Sequence, residues 1–480
     1  MSAVRIRLEP PFSPDFLLEV RAFFCPGFWP RVELASDRAS PQPVDVRIAT
    51  ATSLLLATAA WGTAWAQDAS TWLDWRGPTA DGIAQASAKP PTEWDVASGK
   101  NILWSLPLHG QGHSSPIVVD GQVWITAATD DGKEQSVIVA DLETGESLLD
   151  EVLFKNEKPD PLSNSVNNYA APSCTAEPGR VYVHFGSYGT ACYDTSTREV
   201  LWERRDLPCN HWRGPASSPV LYKDLLILTF DGADLQYLTA LDKATGKEVW
   251  KTERSTPWND LDKDGKPMAD GDFRKSFSTP IIRQIDGRDV LLSTASKCFF
   301  GYDPATGTEL WQRFHSAGHT GSPRPLYHEG IAYMNTGFGK AQLHAIRVDG
   351  SPSGALTDDR LLWERRKNVP NRATPVLVGD RLYSVDDGGI ASCADLASGD
   401  ALWRERLEGG YSGSPVFAGG LLYFTSDQGV TTVFRPGDQF DLVGENHLET
   451  DPPHNCGASA AVIGNTLLLR SGGALYRIGE

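Results

Sequence analysis

The 480-residue chain carries 44 Lys and Arg against 61 Asp and Glu, a formal net charge of −17. An acidic surface repels phosphate backbones, which excludes nucleic acid as a partner. The seven cysteines include no Cys-x-x-Cys and no adjacent pair, which excludes a thioredoxin-like site, a c-type haem and a cysteine-based zinc site.

Residues 1–46, rich in Pro, Arg and Phe, read as a disordered leader or the product of a mis-assigned start codon. Residues 47–66 read as an export signal: Arg47, then a small apolar stretch over 48–60, then Ala64-Trp65-Ala66 as a cleavage site before Gln67. The stretch is too short to span a bilayer. The mature chain, residues 67–480, is therefore expected to be periplasmic or secreted, monomeric, and without a transmembrane segment.

Ile102-Leu-Trp104-Ser-Leu looks like an outer strand with no inner strands before it. From there a unit recurs. It opens on a small residue and a proline: Ser115-Pro116, Ala171-Pro172, Ser218-Pro219, Thr279-Pro280, Ser322-Pro323, Thr374-Pro375 and Ser414-Pro415. An eighth opens at Ala458-Ser459-Ala460. Short runs of β-branched and aromatic residues follow, split by Gly/Asp turns, which read as antiparallel strands. The third run ends on an Asp, a Gly follows four residues later, and a Trp four residues after that, as in Asp242, Gly246 and Trp250. Asp303, Gly307 and Trp311 repeat the spacing, as do Asp395, Gly399 and Trp403. Asp141 and Gly145 are followed by Leu149 in the last place, and Asp194 and Trp202 enclose Arg198 in the glycine place.

A short Asp side chain accepts hydrogen bonds from N–H groups two or three residues on. The Gly takes positive φ at the end of a tight hairpin loop. With Arg198 in its place a different turn is expected. The indole on the outermost strand can cover the neighbouring unit and still find a partner for its N–H. Trp104, Trp202, Trp250, Trp311, Trp363 and Trp403 are the expected docking residues. Four strands in roughly 50 residues match a propeller blade. The expected fold is all-β: an eight-bladed β-propeller of four-stranded antiparallel blades, the last closed by the N-terminal strand.

Two local motifs stand apart. Asp260-Leu-Asp262-Lys-Asp264-Gly265 has the spacing of a calcium loop, with Gly271 rather than Glu in the twelfth place. Asp260, Asp262 and Asp264 are candidate Ca²⁺ ligands or a solvated acidic insertion. His315 and His319 lie four apart, but Gly318 and Gly321 speak against the helix a zinc pair would need. Of the mature cysteines, Cys192, Cys298 and Cys393 read equally well as small buried apolar residues or as disulfide partners.

Ala240-Leu-Asp242-Lys-Ala-Thr245-Gly246-Lys-Glu-Val-Trp250 resembles the tryptophan-docking motif of the quinoprotein-like (PQQ-like) β-propeller repeat proteins. Trp75-Arg76-Gly77-Pro78, Asn168-Tyr169-Ala170-Ala171-Pro172 and Leu475-Tyr476-Arg477-Ile478 resemble a bacterial exported subgroup of that superfamily. The resemblance covers about residues 72–480 and is more specific for fold than for function. It implies either a quinone-dependent dehydrogenase or a scaffold of the kind that serves outer-membrane protein assembly. The dehydrogenases of this superfamily place an adjacent Cys-Cys disulfide above the quinone, a Trp below it, Ca²⁺ beside it, and an Asp as base. No Cys-Cys pair occurs here, and no catalytic residue is assigned.

In such a ring, residues just before each inner strand face the axis. Here they are His113, Tyr169, Trp212 with Arg213, Arg274 with Lys275, His319, Arg372, Tyr411 and Asn455. The set suggests a pocket for a small anionic or sugar-like ligand, or a polar plug. The expected function is an exported, non-catalytic binding or scaffold propeller with a protein or small-molecule partner; PQQ is not expected as a cofactor. The alternative is a PQQ-dependent oxidoreductase acting on alcohols or sugars.

Overall fold

The computed structural model describes residues 19–23, 31–35, 70–162, 166–449 and 456–480. Residues 47–66, the stretch expected to be an export signal, and Asn455 lie outside them. The chain divides into two units, Met1–Ala66 and Gln67–Glu480. In the first, strands Glu19–Phe23 and Arg31–Ala35 pair antiparallel.

The second unit is the expected eight-bladed β-propeller. Blade 1 is Ile117–Val119, Gln122–Ala128, Glu134–Asp141 and Ser147–Lys155. Blades 2 to 7 repeat the plan and end on outer strands Val200–Arg204, Glu248–Glu253, Glu309–Phe314, Leu361–Arg365, Ala401–Arg406 and Asp441–His447. Blade 8 takes three strands from the C-terminus and its fourth, Ile102–Pro107, from the N-terminal side. The register runs from Ile102↔Ile478 to Pro107↔Ala474. Closure removes the sheet edges an open ring would leave.

The inner and middle strands are almost wholly buried, whereas the outer strands alternate between buried and exposed positions. That is why the inner runs are continuously apolar and only the outer ones alternate. Blade 4 carries a fifth, parallel strand, Gly354–Ala355, from an insertion in blade 5.

The Asp-to-Gly turns behave as expected. Asp242 Oδ1 accepts from the N–H of Thr245 at 2.8 Å, and Gly246 N–H donates to the Asp242 carbonyl at 2.8 Å. The indole of the preceding blade lies on the glycine. Trp104 donates Nε1–H to Leu142 O, Trp202 to Lys243 O, Trp250 to Pro304 O, Trp363 to Leu396 O and Trp403 to Gly437 O, at 2.9–3.3 Å. A Cβ at Gly145, Gly246, Gly307 or Gly399 would sit within 2.6 Å of an indole carbon. The glycine is thus required twice, for its positive φ and for the approach of the ring.

Two expectations need correction here. Arg198 does not change the turn: its φ is +58° and its N–H donates to the Asp194 carbonyl at 2.8 Å, as the glycines do. A side chain is tolerated because the preceding blade offers Leu149, in the register place of the Trp, and no indole. Trp311 is fully buried, but its indole stacks across its own blade on Gly301 and its Nε1 has no partner among the described residues. Blade 5 has an insertion where the docking turn should be, so there is no carbonyl to receive it.

The residue opposite each ring is small: Cys192 faces Trp202, Ala240 faces Trp250, Ala345 faces Trp363 and Cys393 faces Trp403. All six described cysteines are buried and unpaired. At positions 192 and 393 the thiol fills the space a small apolar residue would fill.

Candidate functional site

A belt of hydroxyls encircles the axis, two residues before each inner strand. The N–H of Ser115 donates to Ser173 Oγ, that of Ser173 to Ser218 Oγ, and that of Ser218 to Thr279 Oγ1. Further round, Arg324 N–H donates to Thr374 Oγ1, Thr374 to Ser414 Oγ, Ser414 to Ser459 Oγ, and Ser459 to Ser115 Oγ. All seven distances are 2.8–3.0 Å. Seven of the eight blade junctions are thereby tied by a bond independent of the sheets; between blades 4 and 5, where Arg324 stands in the hydroxyl place, no such belt bond occurs among the described residues. The belt shifts two of the sequence assignments. Blade 2 opens on Ser173 rather than Ala171-Pro172, and blade 5 on Arg324-Pro325 rather than Ser322-Pro323. In blade 5 an arginine stands where a hydroxyl is expected.

Below the belt, residues 71–95 cross one face of the ring. Trp72 exchanges both backbone bonds with Val118, and Phe417 pairs with the stretch Gly82–Ala84. Arg76, fully buried, donates to the carbonyls of Pro375, Pro415 and Asp81. Arg324, also buried, grips Asp74 with both terminal nitrogens at 2.7 and 3.0 Å. Arg283 pairs with Asp81. The Trp75 ring lies against Arg76 and Arg324, at 5.7 and 5.5 Å from centroid to guanidinium.

Above this lies an axial cavity of about 540 Å³, within the usual range for small-molecule sites. Trp75 and six belt hydroxyls line it, with Phe273, Phe277 and Phe338 on the wall. Of the axial residues expected from sequence, His113, Arg213, His319 and Arg372 line the cavity. The other five described ones do not, Lys275 among them, whose ammonium pairs with Asp272. Tyr169 is buried and donates to Asp160 O. Trp212 instead receives the Lys275 ammonium over its ring. Arg274 is tied to Asp260 at 2.6 Å and stacks on Trp258. Tyr411 is packed into the blade 6–7 core. The wall also holds groups the sequence reading missed: Trp75, Asp272, Asp387, Asn371 and the two exposed phenylalanines, Phe273 and Phe338.

The charged side chains of the wall are paired. Arg213 meets Asp272 at 3.1 Å, and Lys275 shares the same carboxylate. Arg372 meets Asp387 at 3.2 Å, Asp427 at 3.6 Å and Ser412 Oγ at 2.7 Å. Burial pushes Lys275 down to about 7. It lowers His113 and His319 to about 4, reinforced by nearby cations. Both imidazoles are neutral at pH 7.

The candidate calcium loop is a hydrogen-bonded turn. Asp262 Oδ1 accepts from the N–H of Asp264 and of Lys266 at 2.9 Å, and Asp260 is engaged by Arg274. No cluster of three or more acidic, His or Cys residues placed to hold a metal occurs among the described residues. His315 is buried against Phe299, with Nδ1 2.7 Å from Ala317 O, whereas His319 faces the cavity.

Burial also lowers His184 and His315 to about 3, and His211 and His344 to about 4. A histidine whose folded pKa is depressed contributes stability that is complete above its unfolded value of roughly 6.5 and is lost as pH falls toward the folded value. Thermal unfolding followed from pH 7.5 to pH 4 should therefore show a continuous fall in Tm below about pH 6.5. A flat profile down to pH 4.5 would contradict it.

A family model described as outer membrane protein assembly factor BamB matches residues 151–297 and 353–439. BamB from Moraxella catarrhalis superposes with a TM-score of 0.53 at 15% identity, over 78% of this chain and 99% of that one. A europium-containing methanol dehydrogenase gives a TM-score of 0.61 at 11% identity, over 86% and 99%. The chain has the fold of the PQQ-like β-propellers. The computationally designed Ika8 protein also superposes on this PQQ-like propeller, with a TM-score of 0.51 at 12% identity over 79% and 100% of the two chains. At such identities the likeness is one of fold. No curated protein matches the chain. Among the described residues no helix is long and apolar enough to cross a membrane.

The carboxylates on the cavity wall, Asp272 and Asp387, are each neutralised by a cation, and the described cysteines are unpaired.

Proposed function

We propose that this protein is an exported, non-catalytic binding propeller that holds a small ligand in its axial cavity. One observation carries the reading. The charged groups on the cavity wall are held in ion pairs and its histidines are neutral. Hydroxyls and aromatic rings remain as the surface open to a guest. Such a wall binds and orients; a histidine with a pKa of about 4 is a weak base at neutral pH. The likeness to an assembly factor and the match of a family model named for one support a binding role. The periplasm or the exterior, the expected location, suits a ligand taken from outside the cytoplasm.

The test is reconstitution with PQQ and Ca²⁺, followed by gel filtration and a dye-reduction assay with alcohols and sugars. The protein should elute without quinone absorbance and reduce no dye. Retained quinone with turnover would replace this reading by the oxidoreductase one.

A further inference from the structure

Behind two of the residues that line the cavity, Trp75 and His113, lies more positive charge than the neighbouring acids cancel. Beneath the belt, Arg76, Arg283 and Arg324 face only Asp74 and Asp81. Arg76 is fully buried, and its Nε has no partner among the described residues. Beside His113, Arg470 is buried too. It donates to Ser114 O, Ser114 Oγ and Thr126 O, and it has no ion pair with a carboxylate among the described residues. Its neighbour Cys174 is raised by burial to about 12 and so stays neutral. Burial lowers Arg76 to about 9 and Arg470 to about 10, which leaves both charged at pH 7.

Elsewhere the signs balance. Arg213, Lys275 and Arg372 meet Asp272, Asp387 and Asp427. The uncancelled positive charge therefore lies behind Trp75 and His113, inside a protein of net charge −17. Buried charge without a counter-ion is costly, and a seated anion offsets it.

The belt supplies matching donors. Its hydroxyls accept a backbone N–H each, and none donates its own proton to a protein acceptor among the described residues. Six of them, Ser115, Ser173, Ser218, Thr279, Ser414 and Ser459, line the cavity. Hydroxyl donors gathered round one axis, with these cations behind the lining, suit an oxyanion. The wider part offers the rings of Phe273 and Phe338, packed on either side of His319 at 4.9 and 5.8 Å. Its neutral imidazoles can accept from ligand hydroxyls.

We propose that the cavity takes a sugar acid, its carboxylate seated in the hydroxyl belt and its ring lying against Phe273 and Phe338. This rests on the reading of the cavity as a ligand site. The probes are glucuronate, glucose and inorganic phosphate, titrated calorimetrically into the purified protein. Glucuronate should bind at least tenfold more tightly than glucose, weaken with added salt, and be displaced by phosphate. F338A should weaken glucuronate severalfold. R470Q should erase the preference for the acid; should that variant fail to fold, S173A serves the same purpose. Equal affinity for glucose and glucuronate, both weakened by F338A, would overturn the carboxylate seat and leave the cavity a binding site. Binding indifferent to F338A and S173A, or no saturable binding of any probe, would overturn both readings.

Discussion

Replacing Gly246 by Ala should destabilise the propeller by about 3 kcal/mol. A left-handed backbone at a non-glycine residue costs roughly 1–2 kcal/mol, and overpacking a filled site adds about 1–3 kcal/mol. Both apply: the φ is +70° and the new Cβ would meet the Trp202 ring at 2.6 Å. A natural control sits one blade away. Arg198 holds the same turn with a full side chain, because Leu149 rather than an indole stands in the docking place. R198G should therefore change stability by less than about 1 kcal/mol, and G246A in a W202L background should cost about 1 kcal/mol only. A double-mutant cycle by denaturant unfolding isolates the steric part. Equal costs of G246A in both backgrounds would refute the docking argument.

D74A is expected to be worse. It strips the bidentate partner from Arg324, which is 1% exposed. Removing one side of a buried pair leaves an uncompensated charge and costs about 3–5 kcal/mol. For a domain of this size that lowers Tm by roughly 5 °C. D74N, which keeps an acceptor without the charge, should recover less than half. A D74A protein as stable as the parent would show that the segment below the belt does not hold the ring.

The fold was legible because its devices are periodic. Asp242, Gly246 and Trp250 announce a turn, a contact and a hydrogen bond in one phrase, and repetition gives the blade count. Where a blade departs from the phrase, periodicity misleads. Blade 5 lacks the docking turn, so Trp311 is buried yet undocked. In blade 2 and blade 5 a nearby Pro172 or Pro323 drew the opening residue off by two positions. The hydroxyl belt itself was in view as a run of Ser and Thr before prolines, read only as a strand signal.

The site was half legible. His113, Arg213, His319 and Arg372 reach the cavity because the residues before an inner strand face the axis. Tyr169, Trp212, Arg274, Lys275 and Tyr411 follow the same rule in sequence but turn away: Tyr169 to Asp160, Trp212 to Lys275, Arg274 to Asp260, Lys275 to Asp272, and Tyr411 into the blade 6–7 core. Trp75 and Asp272 come from the N-terminal crossing and an inter-blade insertion, where no repeat predicts a direction.

The eighth blade has a consequence for how the molecule comes to exist. Its strands are 376 positions apart in sequence, from Ile102 to Ile478. Closing so long a loop must wait until the last residues have been synthesised. Until then the growing arc has two unsatisfied ends, both able to recruit strands from other molecules. Quality control of this protein is therefore concentrated in its final handful of residues, and truncation there should yield aggregates rather than a slightly weaker ring.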